Sequence, residues 1–240
     1  MGQSINKSEF EQLIGDIHTH DVNYHTRELY MHSTHTTTCN DDEPGVEYRM
    51  ATAFIKNLHI LNAKSEDNVL VHKHTVGGSW SDGMAIINSI QFSKAPVTIL
   101  SYAQAHSMGG IILQSGDKRV LMPDCEFMLH YGIVSIEGPS TAVHSYINMN
   151  EKCGKRMLQL FAERAIVSSK FFKDKKYSLN KVISYFNKKL KEKSDWFMTA
   201  DEAVFYGLAD GILGDTGFET IEKVRVCKKF KGFNRANYSK

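Results

Sequence analysis

From Val46 onward, Val46, Met50, Phe54, Leu58 and Leu61 recur every three to four positions, the period of an amphipathic helix. Asn68 to His74 is a short β-rich run, bounded by Glu66-Asp67 before it and by Gly77-Gly78 after it. Gly83 to Ser93 returns to the helical period, with Met84, Ile87 and Ile90 on one side, and Pro96 stops it. Val97 to Leu100 reads as a buried strand. Met108 to Gln114 reads as a compact apolar helix opened by a sharp turn at Ser107. Arg119 to Met122 and Glu126 to Tyr131 predict two further strands around Pro123-Asp124. Strands alternating with helices predict an α/β fold with a largely parallel sheet.

Beyond Gly138-Pro139 the pattern changes. Ser140 and Thr141 can cap a long helix carrying Val143, Tyr146, Met149, Cys153, Met157, Leu160 and Phe161 at a period near 3.6. Phe171 to Lys193, strongly basic, repeats the pattern with Leu179, Val182, Ile183, Phe186 and Leu190. The chain then returns to a strand-like Trp196 to Thr199 and a helix over Ala200 to Tyr206. Upstream, Arg27 to His32 alternates like a strand, and residues 33–45 are rich in turn formers. The division expected is an N-terminal arm at 1–26 that is flexible or partner-dependent, an α/β head at 27–137 and 196–215, a helical excursion at 138–195, and a basic, solvated tail at 216–240.

The bulk numbers narrow the function classes. Hydrophobic residues at 42% and charged residues at 23% describe an ordinary globular chain. A formal charge of +2 makes no electrostatic case for nucleic acid or an anionic membrane. The lysines of 171–193 read as a solvated helix face. The four cysteines, Cys39, Cys125, Cys153 and Cys227, have neither disulfide-framework nor zinc spacing and fit a reducing compartment. His18-x-His20 comes with neither a carboxylate at ligand spacing nor a regular helical pattern, so no metal site is expected. The start shows no apolar signal segment, and the most apolar stretch, 97–113, is too short and too polar to span a bilayer. The expectation is a cytoplasmic chain without a cofactor.

The candidate chemistry begins at Ala105-His106-Ser107-Met108-Gly109-Gly110. A serine on a tight strand-to-helix turn exposes its hydroxyl, and the following amide can donate into an oxyanion hole. A nucleophilic serine also needs a base and a group that orients the base. His130 lies where a strand ends, and Asp195 precedes Trp196. The order serine, histidine, aspartate differs from that of the α/β-hydrolases, chymotrypsin and subtilisin. Gly77-Gly78 follows another strand, where a bare backbone can approach a substrate closely. These segments all follow strands and can converge at the carboxyl edge of one sheet.

Val76-Gly77-Gly78-Ser79, Gly83-Met84-Ala85-Ile86, Ala105-His106-Ser107-Met108-Gly109, Met122-Pro123-Asp124, Phe127-Met128-Leu129-His130 and Thr199-Ala200-Asp201-Glu202-Ala203 together resemble the ClpP family, the proteolytic subunit of the Clp protease. The resemblance spans roughly 27–213. It implies a ClpP/crotonase-like superhelix of β-β-α units with a protruding helical handle at 138–195. It implies Ser107 as nucleophile, His130 as general base and Asp195 as the orienting acid, Asp195 matching across an interval longer than the family's. The amides of Gly78 and Met108 would form the oxyanion hole, and Gly77, Ser79 and Gly132 would contact substrate. The expected substrate is a peptide or unfolded protein, inside a heptamer or double heptamer, with an AAA+ unfoldase as partner. The family's segment before the paired glycines is replaced here by His74-Thr75-Val76, and the N-terminal arm and acidic loop Asn40 to Glu43 depart from the family start. In that loop pattern the chain resembles divergent phage-type members, whose role would be either degradation or selective processing. The alternatives are a catalytically silent ring subunit and a crotonase-type acyl-CoA enzyme.

Overall fold

The computed structural model describes residues 7–31 and 45–232. Most of the turn-rich segment, with His32, His35, Cys39 and the acidic Asn40 to Glu43, lies outside the described residues, as do 1–6 and the end of the basic tail, 233–240. The chain opens with α1 (Lys7–His20), β1 (Val22–Asn23), β2 (Glu28–Met31) and α2 (Tyr48–Lys64). Next come β3 (Val69–Thr75), α3 (Trp80–Gln91), β4 (Val97–His106), α4 (Met108–Leu113), β5 (Lys118–Leu121) and β6 (Glu126–Leu129). The helical excursion is α5 (Ser140–Ser168), α6 (Lys170–Asp174) and α7 (Leu179–Lys193). It is followed by β7 (Trp196–Met198), α8 (Ala200–Phe205), β8 (Gly211–Ile212) and α9 (Ile221–Arg225).

Local chemistry sets these boundaries. The Glu47 carboxylate accepts from the Arg49 and Met50 amides and starts α2, leaving Val46 outside the helix to bridge Gly78. Ser79 caps α3 by accepting from the Asp82 amide, so this helix begins three residues before the expected Gly83. Thr199 and Glu202 form a reciprocal capping box at α8.

The sheet runs β1-β2-β3-β4-β5-β8, parallel from β2 to β8. The expected mixed α/β architecture with a largely parallel sheet is present. β4 is much longer than the predicted Val97 to Leu100 and serves two neighbours. Thr98 to Ser101 pair with β5, while Gln104 to His106 pair with β6, which in turn pairs antiparallel with β7. Periodicity hid this extension because Tyr102 and Gln104 interrupt the apolar run.

One face of the sheet carries the main core, where Val71, Ile87, Ile112, Phe127 and Phe161 are fully buried among α2, α3, α4 and the second half of α5. The opposite face presents Leu70, Leu100 and Val120, and Val224 of α9 buries itself against them. The tail is therefore not simply solvated through residue 232: Thr98 Oγ1 donates to the Val224 carbonyl at 2.9 Å, and the Phe230 amide donates to Asp117 at 2.7 Å. An apolar sheet face must be covered, and this segment covers it.

The N-terminal segment read as an arm contains a helix, α1, which has no buried residue. Its end is tied to α2 by Asn57 Nδ2 donating to the His20 carbonyl at 2.5 Å. The base of the helical excursion is fixed by aromatics, with Phe171 and Phe172 of α6 packed against Tyr177, Tyr185 and Phe186. Arg119, wholly buried, donates to Ser168 of α5 at 2.8 Å and to the Gly207 carbonyl at 2.9 Å, and pairs with Asp210. These contacts anchor the excursion to the sheet. No helix among the described residues is long and apolar enough to cross a membrane.

Candidate active site

The long β4 ends at His106, and the chain turns sharply at Ser107 before entering α4. Ser107 has φ 49° and ψ −125°, a conformation that costs a non-glycine residue on the order of 1–3 kcal/mol. Its amide is held by the Met128 carbonyl of β6 at 3.0 Å, and its carbonyl accepts from Gly110 and Ile111. The β4–β6 register thus clamps the strained turn from the side on which β6 leads to His130.

His130 follows β6 directly, and its Nε2 lies 2.8 Å from Ser107 Oγ. Its Nδ1 lies 3.0 Å from Asp195 Oδ1, on the residue that precedes β7. Because β6 and β7 pair with Leu129 opposite Trp196, the residues just outside that rung, His130 and Asp195, are brought side by side. The Asp195 side chain is 56% exposed and that of His130 only 20%. The acid therefore sits at the rim and the imidazole inside.

Gly77 and Gly78, with φ of 112° and 144°, lie behind and beside the serine. A Cβ on Gly77 would stand 2.7 Å from Ser107 Cβ and 2.9 Å from the His106 carbonyl oxygen. Only a bare backbone fits there. Gly78 is bridged to Val46, whose amide donates to the Gly77 carbonyl and whose carbonyl accepts from Ser79, so the Gly78 amide itself stays out of that ladder. The Met108 amide opens α4. Both Gly78 and Met108 line the cleft that holds Ser107 and His130. Gly77→Ala is expected to displace the Ser107 turn, and any activity that depended on Ser107 would fall by at least ~10²-fold, since a displacement of about 1 Å at a reacting group costs that much. Thermal unfolding followed alongside turnover should show destabilisation of roughly 2 kcal/mol.

The cleft has a volume of about 470 Å³ and runs between α3, α4 and the first half of α5. Gly132 lines it, and Ser79 and Gly77 do not: Ser79 caps α3 and Gly77 supports the serine turn from behind. Its apolar wall is Trp80, Ile111, Tyr146, Met149 and Met157. Tyr146, Met149, Cys153 and Met157 were legible as the apolar stripe of a helix. Nothing in their period told that this stripe faces the serine.

The family model described as Clp protease matches residues 42–216. The chain belongs to the Clp protease family. This Clp-family chain is 31% identical over 167 residues to the ATP-dependent Clp protease proteolytic subunit of Ligilactobacillus salivarius, covering 68% of this chain and 77% of that one. It is 27% identical over 174 residues to the protein of the same description from Deinococcus radiodurans, covering 71% and 78% of the two chains. The matched span contains every strand from β3 to β8 and all the cleft residues, so the likeness and the Ser107–His130–Asp195 geometry concern the same part of the Clp-family fold.

Proposed function

We propose that this Clp-family chain is a serine endopeptidase using Ser107, His130 and Asp195. The observation that carries the reading is the continuous relay of 2.8 Å from Ser107 Oγ to His130 Nε2 and 3.0 Å from Nδ1 to Asp195. His130 Nε2 takes the Ser107 proton as Oγ attacks the scissile carbonyl, and Asp195 holds Nδ1–H so that Nε2 is the free base. The oxyanion is received by the Gly78 and Met108 amides, neither of which has another hydrogen-bond partner among the described residues. His130 returns its proton to the leaving amine as the peptide bond breaks. Water then attacks the acyl-serine through the same base, releasing the carboxylate product and restoring Ser107. The strained turn and intact relay disfavour a silent subunit. An acyl-CoA enzyme of the crotonase type would need no such relay.

The substrate is a peptide or unfolded chain entering the apolar-walled cleft. Assembly as a heptameric ring, stacked into a double ring, is supported by the exposed apolar residues Val134 and Ile136, which lead into the handle, and Ile147 on α5, none of which lines the cleft. The relatives are described as ATP-dependent, and an AAA+ unfoldase is the partner proposed here on that likeness. A fluorophosphonate probe, which reacts with activated serines, is the direct test: labelling mapped to Ser107 supports the reading, and an unlabelled, cleavage-inactive protein sinks it. Native mass measurement is expected to give a seven- or fourteen-subunit assembly, and a stable monomer would contradict the ring.

A further inference from the structure

On the sheet face opposite the main core, immediately behind the reacting groups, lies a second histidine–carboxylate pair. His106, the last residue of β4, is only 11% exposed, and its Nε2 lies 3.5 Å from Glu126 of β6. Its ring meets Phe197 of β7 edge-on, with centroids 5.6 Å apart. The register explains the meeting: His106 stands opposite Met128, and Met128 opposite Phe197, so one cross-strand row joins β4, β6 and β7. Those strands are the ones adjoining Ser107, His130 and Asp195. The relay has no use for His106.

We propose that His106 is a positioning residue of this site, coupling the state of the His106–Glu126 pair to the alignment and charge of His130. The proposal rests on the reading of Ser107, His130 and Asp195 as a catalytic triad. Packed against Phe197, neutral His106 holds the three strand ends in one row. Protonated, it tightens onto Glu126 and puts a second cation beside an imidazole that must itself become cationic during the reaction. The charged groups that act on it are Glu126 from β6, Lys73 from β3 and His130 beyond β6. Burial first of all, and then the Lys73 and His130 charges, hold the His106 imidazole below its ordinary value against the opposing pull of Glu126. Lys73 is wholly buried and donates to the Gln104 carbonyl at 3.2 Å, so its charge sits close under the end of β4. The sign follows: His106 is neutral around pH 7 and charges only in acid, so acid adds repulsion against the imidazolium form of His130.

Peptide cleavage measured from acid to neutral pH tests this with the full-length protein. The acid limb of log kcat is expected to steepen toward two protons in the wild type and to fall with one proton in His106→Ala. Turnover near neutral pH should drop about tenfold in that variant with KM little changed, because alignment and not binding is lost. In Glu126→Gln the second proton should bind at lower pH, since the attraction favouring the imidazolium is gone. A purely structural role for His106 would lower stability and leave the number of protons at one. A single-proton limb in the wild type therefore overturns the proposal.

A second readout is independent of catalysis. In Ser107→Ala protein, histidine NMR titration should show His106 titrating below its ordinary value, and adding His130→Gln should move that titration upward, because the opposing His130 charge is gone. An unmoved His106 titration refutes the coupling, even if the protein cleaves no peptide. Loss of both cleavage and fluorophosphonate labelling in the wild type would instead refute the peptidase reading.

Discussion

Replacing Ser107 with alanine is expected to abolish fluorophosphonate labelling and to lower peptide turnover by on the order of 10⁴-fold or more, with binding of unfolded peptide retained. The magnitude follows from what the substitution takes away. Acyl-enzyme formation needs an oxygen at the apex of the turn, and a methyl group there leaves the relay with nothing to deprotonate. Residual hydrolysis would come from the Gly78 and Met108 amides and from substrate positioning, which do not depend on the hydroxyl. The substitution also relaxes nothing in the backbone, because alanine inherits the positive φ of 49°. Stability should therefore change little, and a folded, ring-forming, unlabelled protein is the result that checks the nucleophile. Retained cleavage by this variant would move the chemistry elsewhere.

His130→Ala should be nearly as damaging, and the double variant with Ser107→Ala no worse than either single one. Nucleophile and base act as a unit, so removing either removes the function of both. Asp195→Asn is expected to be milder. At 56% exposure the Asp195 carboxylate lies largely in water, which softens its field, so its stabilising role in the proposed relay would be shared with solvent. What would remain is to fix which imidazole nitrogen carries the proton, and an amide that donates toward Nδ1 would favour the wrong tautomer. Turnover of the three variants, measured on one peptide at saturating concentration, separates these effects.

Several parts of the fold could be read along the chain. The 3.6-residue stripes of α2, α3, α5 and α7 and the strand-like runs at Val69 and Val97 announced an alternating α/β chain, because local spacing records which face of an element is buried. Ser107, His130 and Asp195 were nominated by their order among strand ends and by resemblance, and the structure brings them within hydrogen-bond reach. Other features left no local trace. β4 continues through polar Tyr102 and Gln104 because β6 pairs with its far end, which no window around β4 reveals. α9 was read as tail because Val224 stands nearly alone among charged residues, and its burial depends on an open sheet face more than a hundred residues away in sequence. His106 gave no signal beyond adjacency to a serine.

The turn at Ser107 shows where the division falls. By itself the sequence determined the alternating elements, the small residues that let Ser107 sit on a tight turn, and the glycine pair that must pass close to something. It could not say what the glycines approach or which imidazole faces which hydroxyl. Those matters were decided by register: His130 and Asp195 are 65 residues apart, and they meet only because Leu129 pairs with Trp196. Side-chain period is set by bonds within a few residues, and sequence carries it directly. Proximity across a sheet is set by which strands find each other and in what alignment, a property of the whole buried core. The same pairing that aligns Ser107, His130 and Asp195 on one side stacks His106, Met128 and Phe197 on the other.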